Sequence, residues 1–265
     1  MEFSVSEQQA LRAVADEMAD VAREVTLRYF RNTALAVDNK EAGGFDPVTV
    51  ADREAEQAMR AVLAKRRPND AIFGEEFGQT PGSSGLTWVL DPIDGTRAFI
   101  SGATSWGVLI GLDAGQGPVL GVVDQPFIGE RFIGGFGAAE WQRGADKRAI
   151  SVRACESLEN AILMSTFPEV GTNAEGAAFA AVSKQCKLTR YGLDCYAYAL
   201  VALGQIDLVI EAGLNAYDVQ GPIGVVQGAG GIVTDWQGRP AHNGGQIIAA
   251  GDKRVHAAAL DILNR

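Results

Sequence analysis

The stretch Trp88-Val89-Leu90-Asp91-Pro92-Ile93-Asp94-Gly95-Thr96 decides how the chain is read. Trp88 to Leu90 is an apolar run of strand type that ends in a carboxylate. Pro92 cannot donate to a β-ladder, and Gly95 permits a tight turn. Asp91 and Asp94 therefore converge at the end of a strand. A helix beginning just after Gly95 leaves the Gly95 and Thr96 amides free to hold an anion. Carboxylates beside free amides suit a metal-bridged phosphate. The same residues also suit a plain strand-turn with two capping aspartates, so the decision rests on what lies to either side.

Three other acidic positions fall where a strand ends or a helix starts. Gly74-Glu75-Glu76 follows the short apolar run Ala71 to Phe73. Asp52 comes just after Pro47-Val48-Thr49, near the start of a helix, and Asp218 opens another after Tyr217. Each reads alone as a surface turn or a helix cap. Gathered together, carboxylates raise one another's pKa, and a cation relieves the cost. An all-oxygen set of this kind suits Mg²⁺ or Mn²⁺ and not zinc. His242 and His256 make no HxxxH pair, and Cys155, Cys186 and Cys195 are far apart in sequence with no CxxC pair.

The remaining pattern is mixed α and β throughout. Apolar residues recur at steps of three or four from Leu11 to Tyr29, which predicts a helix over about 4–31. A loop or hairpin over 36–49 leads to a second helix over about 50–65, ended before Pro68. Strands are expected over 71–73, 86–90, 106–112, 118–125 and 130–135, with a short helical piece over 98–100. From about Ser151 a second half alternates strands over 161–165, 188–190, 208–211, 231–234 and 247–250 with helices over 175–184, 195–203, 217–229 and 255–263. The division expected is an N-terminal α+β half, 1–150, carrying most of the carboxylates, and a C-terminal α/β half, 151–265, carrying Asp218.

Composition narrows the function classes. The chain has 265 residues, 47% of them hydrophobic, enough for a substantial core. A net charge of −10 disfavours nucleic acid and anionic membrane as partners. An acidic protein that handles phosphate needs local neutralisation, which a divalent metal provides. Three unpaired cysteines predict a reducing compartment. Neither a signal peptide nor a membrane-length apolar run is read, so a cytoplasmic protein is expected.

Asp46-Pro47-Val48-Thr49-Val50-Ala51-Asp52, Gly74-Glu75-Glu76, Asp91-Pro92-Ile93-Asp94-Gly95-Thr96 and Tyr217-Asp218, in this order, resemble the inositol monophosphatase superfamily. The resemblance implies an α/β layered sandwich, α-β-α-β-α, and a lithium-sensitive phosphatase holding two or three Mg²⁺, with Mn²⁺ as a substitute. It implies that Glu75, Asp91, the Ile93 carbonyl, Asp94 and Asp218 bind metal and that Gly95 and Thr96 hold phosphate. It further implies that Thr96 and Asp52 form a hydrogen-bonded pair that, with Glu75, activates the attacking water. Lys40 falls in the loop where the family carries a lysine, and a homodimer is expected. The chemistry agrees: metals can clamp both the attacking and the leaving oxygen of a phosphate monoester and lower the pKa of water. No serine or cysteine nucleophile is needed.

Within the superfamily, Leu86 to Gly102, Gly121 to Phe132, Arg190 to Ala199 and Tyr217-Asp218 resemble the bacterial histidinol-phosphate phosphatases of this fold. Inositol phosphatases usually carry tryptophan at position 217 and a small residue at 194; here these are Tyr217 and Asp194. Asp194, Glu211 and Gly192 are the expected substrate-side residues. Two carboxylates there favour an ammonium or imidazolium over a polyol, unless Asp194 only caps the helix near Cys195. Gln220 and Pro222 depart from the family's small residues and are expected to reshape the pocket. Histidinol-phosphate hydrolysis in histidine biosynthesis is the leading expectation. The alternatives are an inositol-1-phosphate or broad sugar-phosphate phosphatase and, in another class, a regulatory binding protein on this scaffold.

Overall fold

The computed structural model describes residues 2–32, 37–39 and 47–265. The helix α1, Val5–Tyr29, starts at a capping box in which the Ser4 hydroxyl accepts the Glu7 amide and Glu7 accepts the Ser4 amide. It buries Leu11, Val14 and Met18 of the stripe its sequence period predicts, together with Ala15, Ala19 and Ala22, while Val21, Val25 and Tyr29 stay half-buried. The strands β1, Val37–Asn39, and β2, Pro47–Thr49, pair antiparallel. A second capping box, Thr49 with Asp52, starts α2, Val50–Arg66.

Eight strands then form one sheet: β3 (Ala71–Gly74), β4 (Gly78–Thr80), β5 (Thr87–Asp94), β6 (Gly107–Asp113), β7 (Pro118–Gln125), β8 (Glu130–Gly135), β9 (Ala138–Arg143) and β10 (Asp146–Ala149). Their spatial order is β10-β9-β8-β7-β6-β5-β3-β4, antiparallel except for the β3–β5 pair. One turn-rich connection in it carries the short helix α3, Thr96–Ser101. The second sheet is built from β11 (Ile162–Ser165), β12 (Leu188–Tyr191), β13 (Leu208–Asn215), β14 (Ile232–Thr234) and β15 (Gly244–Ala250), in the order β12-β11-β13-β15-β14. The helices α4 (Asn173–Ser183), α5 (Tyr196–Ala202), α6 (Ala216–Gly228) and α7 (Lys253–Leu263) complete the chain.

Alternation along the strands stacks these elements into five layers. On β6, Val108, Ile110 and Leu112 pack with α1 and α2, while Leu109 points the other way toward α5 and α6. On β15, Ile247 and Ala249 join that same α5–α6 core, while Ile248 and Ala250 pack with α7. The order is therefore α1/α2, large sheet, α5/α6, small sheet, α4/α7, the α-β-α-β-α arrangement expected. The two sheets divide between Ala149 and Ile162, but the middle helices give both halves one continuous core.

The seam of α6 against the large sheet is made of glycine on both sides. A Cβ on Gly121 would come within 2.1 Å of the Gly221 carbonyl oxygen, and one on Gly134 within 2.4 Å of the Gly224 carbonyl oxygen. Backbone thus lies on backbone, and α6 is held close enough for its N-terminus to reach the end of β5. The hairpin β9–β10 was not expected from the sequence. β10 is exposed at every position, so it carries no burial pattern to read.

Candidate metal centre

The expected convergence of Asp91 and Asp94 has a definite cause. In a regular strand, residues three apart point to opposite faces. Between β5 and β6, Asp91 faces Leu109 and Asp94 faces Gly107, so three steps on β5 match two on β6. This β-bulge inserts one residue and turns both aspartates to the same side. Pro92 sits within it, where a missing N–H costs no ladder bond. The Asp91 carboxylate folds back to accept the Ile93 amide at 3.0 Å, which fixes the bulge from inside.

A second bulge lies on β13, between Glu211 and Leu214. It leads into α6, whose capping box is Asn215 with Asp218. The Asn215 amide donates to Asp218 Oδ2 at 2.6 Å. The result is that one oxygen from each of Asp91, Asp94 and Asp218 lies within 4.8 Å of the others. Glu75 leaves the end of β3 beside them, its amide bonded to the Leu90 carbonyl at 3.1 Å. All four line a cavity of about 420 Å³ with Ile93, Gly95 and Thr96.

The electrostatics mark this cluster as built for a cation. Burial pushes the Asp91 carboxyl well above the ordinary range, and the negative charges of Glu75, Asp94 and Asp218 push it further. Burial does the same to Asp94, with Asp194 and Asp218 adding to it. Asp218 is pushed up to about 6, again by burial, against the lowering effect of the Asn215 amide. Among the described residues, no lysine or arginine forms an ion pair with Asp91, Asp94 or Asp218. The donors are hard oxygens. The nearby Cys195 thiol is pushed well up by burial and by Asp94, so it offers no thiolate. A hard divalent ion such as Mg²⁺ fits this donor set.

The model of the inositol monophosphatase family matches residues 7–265. The chain belongs to that family. It is 40% identical to a protein of Arabidopsis thaliana named bifunctional phosphatase IMPL2, chloroplastic, over 99% of this chain and 77% of the relative. It is 32% identical to a histidinol-phosphatase of Chlorobaculum parvum, over 91% of this chain and 92% of that one. Among solved structures, an inositol monophosphatase from Zymomonas mobilis, reported for a flexible region at its active site, superposes with a TM-score of 0.86 at 41% identity. It covers 99% of this chain and 100% of its own. The family is one of phosphatases that depend on Mg²⁺ in general, and the acidic cluster stands where such an ion would be needed.

Against this family background, the other expected site residues fall into place unequally. The direct Thr96–Asp52 hydrogen bond is not formed. The Thr96 hydroxyl donates to the Ile93 carbonyl at 3.1 Å, while Asp52 Oδ2 accepts the Thr49 amide at 2.8 Å and the Thr49 hydroxyl at 2.6 Å. Both groups thus satisfy themselves locally. Asp52 is nevertheless buried, pushed up to about 7 chiefly by burial, and it feels the charges of Glu76 and Glu75. Lys40 lies outside the described residues.

On the substrate side, Asp194 and Glu211 line the same cavity and Gly192 does not. Gly192 sits between β12 and α5 with its amide on the Ser165 carbonyl at 3.1 Å. Asp194 does not cap α5, which has no side-chain cap. It holds a left-handed backbone (φ 48°) and receives the Ser105 hydroxyl, and its carboxylate lies against the Gly95 Cα. The next amide, Cys195, donates to Asp94 Oδ2 at 2.8 Å, so this turn also anchors a metal-site aspartate. Glu211 accepts the Thr166 amide at 2.9 Å, the Thr166 hydroxyl at 2.5 Å and the Tyr198 hydroxyl at 2.6 Å. Burial raises its pKa and these three bonds lower it.

Gln220 and Pro222 do not line the cavity. Gln220 packs on Gly111 of the large sheet and donates to Asp113 Oδ2 at 3.1 Å and to the His242 carbonyl at 3.2 Å. Pro222 is buried inside α6. Gln220 thus faces the glycine seam, which the sequence alone could not reveal. Ser105, Thr166 and Tyr198 were missed for a related reason. Each acts by holding a carboxylate that is distant in sequence, and no local spacing announces that.

Proposed function

We propose that this chain is a Mg²⁺-dependent phosphomonoesterase whose preferred substrate is histidinol phosphate. The observation that carries the reading is that one cavity is lined by Asp91, Asp94, Asp218 and Glu75 and also by two further carboxylates, Asp194 and Glu211. A phosphate monoester with a cationic alcohol part matches that lining. Its phosphate goes to the metal held by the first four, and its ammonium or imidazolium meets Asp194 and Glu211. The histidinol-phosphatase name of one relative supports this. The Zymomonas structure, described as an inositol monophosphatase, supports inositol 1-phosphate as the second reading.

Glu75, Asp91, the Ile93 carbonyl, Asp94 and Asp218 would hold the ions. Bound Mg²⁺ supplies positive charge against the phosphate and acidifies water. The chain itself does the rest. Gly95, with its left-handed backbone (φ 79°), and Thr96 open α3 at the cavity wall, where their amides orient the phosphate. The Thr96 hydroxyl, donating to Ile93, keeps its lone pairs to orient a water, and Glu75 accepts that water's proton. Asp52 feels the charge of Glu75 and stands close enough to act with it. Hydrolysis consumes one water and yields the alcohol and inorganic phosphate.

The test is phosphate release with Mg²⁺ from histidinol phosphate and inositol 1-phosphate, side by side on purified protein. The expected result is a kcat/KM for histidinol phosphate at least about tenfold higher, the worth of one charge-assisted contact. A preference for inositol 1-phosphate would remove Asp194 and Glu211 from substrate selection.

A further inference from the structure

Glu56 belongs to none of the motifs that define the site, yet its side chain is fully buried. It lies one helical turn beyond Asp52, so α2 presents both carboxylates on one face. Glu56 Oε2 accepts the Glu76 amide at 2.7 Å, and Oε1 accepts the Phe77 amide at 3.2 Å. Oε1 also accepts Arg60 Nε at 2.7 Å. Arg60 continues across the same turn, donating to the Gly78 carbonyl at 2.6 Å and the Thr80 hydroxyl at 2.9 Å. The turn between β3 and β4 is therefore gripped by its amides through Glu56 and by its far strand through Arg60.

Glu75 is the first residue of that turn. Its amide is tied to Leu90 on β5, and the two amides that follow it are tied to Glu56. These bonds fix the backbone on both sides of its Cα and so fix where its side chain departs. Gly74 completes the fit: a Cβ there would lie 2.0 Å from Glu56 Oε1. The glycine exists to let the buried carboxylate approach.

We infer that Glu56 is a positioning residue for metal binding, acting through the Gly74–Phe77 turn to aim Glu75 at the Asp91–Asp94–Asp218 cluster. The inference rests on the proposal that Glu75 is a metal ligand. A side chain that only stabilised the hairpin would change the unfolding midpoint. A positioning residue also changes metal affinity in the folded protein.

The experiment measures Mn²⁺ binding directly, from the electron paramagnetic resonance signal of the free ion, with folding checked by circular dichroism. The proteins are wild type, Glu56→Gln, Gly74→Ala, Glu75→Gln and Asp70→Asn. Glu56→Gln places an amide donor against backbone amides or Arg60. Gly74→Ala pushes the same contact apart from the other side, so it decides the matter if Glu56→Gln does not fold. Asp70→Asn removes the charge opposite Arg67 and sets an amide donor against Arg67 or Trp88 at the opposite end of β3, and it serves as a control for general destabilisation. Both turn variants are expected to weaken Mn²⁺ binding at least about tenfold, with Asp70→Asn keeping wild-type affinity at a lower unfolding midpoint. Wild-type affinity in the turn variants, or an equal loss in Asp70→Asn, would overturn the positioning role. Wild-type affinity in Glu75→Gln would instead overturn the metal assignment on which it rests.

Discussion

Asp124 and the cluster of Asp91, Asp94 and Asp218 hold their carboxylates in opposite ways. On the α1 side of the large sheet, Asp124 is fully buried and accepts Arg23 (2.6 and 3.0 Å) and Arg131 (2.6 Å). Arg131 reaches on to Asp16 at 3.0 Å and Asp20 at 2.7 Å. Those charges hold the Arg131 guanidinium above its ordinary pKa in spite of burial. In the cavity, Asp91, Asp94 and Asp218 come within 4.8 Å of one another with no guanidinium paired to them among the described residues. The first cluster is complete within the chain. The second has its acceptors in place with no paired cation among the described residues. The contrast teaches that burial of acid groups is not by itself a mark of function; what sets the cavity cluster apart is that no counter-charge among the described residues pairs with it.

The sharpest way to break the comparison is to neutralise one member of each cluster. Asp94→Asn should cut turnover by at least about a thousandfold, several kcal/mol of lost metal assistance. Because it also removes a repelled charge, the metal-free variant should melt no lower than wild type in calorimetry. Near-wild-type turnover would sink the metal assignment. Asp124→Asn should do the reverse. Leaving Arg23 and Arg131 without their partner costs about 3–5 kcal/mol, on the order of 10 °C in the unfolding midpoint. The folded fraction should keep its kcat.

A smaller effect should appear with pH. Asp218 in the folded protein holds its proton to about pH 6, and Asp52 to about pH 7, against an ordinary value of 3.8. Between the ordinary and the raised pKa, the folded state binds more protons than the unfolded one. The stability these groups contribute is thus present at low pH and lost as pH rises through 4 to 7. The metal-free unfolding midpoint of wild type, relative to Asp218→Asn, should fall over that range, and added Mg²⁺ should reverse the fall. A flat difference would show that the carboxyl is already at its ordinary pKa.

The smallest expected effect concerns Glu211. Glu211→Gln keeps the shape and most of the bonds to Thr166 and Tyr198 but removes the charge. Relative kcat/KM for histidinol phosphate over inositol 1-phosphate should drop about tenfold. An unchanged ratio would assign Glu211 to holding Thr166 and Tyr198 alone.

The sequence made the layers and the gathering of Asp91, Asp94 and Asp218 legible for physical reasons. Strand alternation in β6 and β15 and the helical stripe of α1 are local patterns with fixed periods. Asp91, Asp94 and Asp218 stand at a proline-interrupted strand end and a helix start, which local rules mark well. What stayed hidden depends on long-range contact. The close packing of α6 on the sheet turns Gln220 to Gly111 and away from the cavity. Asp194 and Asp52 turn to Ser105 and Thr49 instead of to a helix amide or Thr96. Glu56 grips a turn 20 residues away. The exposed strand β10 has no buried face to set a period.

The most direct test of the contrast is isothermal titration of Mg²⁺ into the metal-free protein at pH 6 in two buffers of different ionisation heat. Because burial and mutual repulsion raise the pKa values of Asp91, Asp94 and Asp218, Mg²⁺ binding should release protons at this pH, and the two buffers should give different apparent enthalpies. The difference should shrink in Asp218→Asn. Identical enthalpies in both buffers would contradict the account, because the carboxylates would already be ionised and stable without a cation.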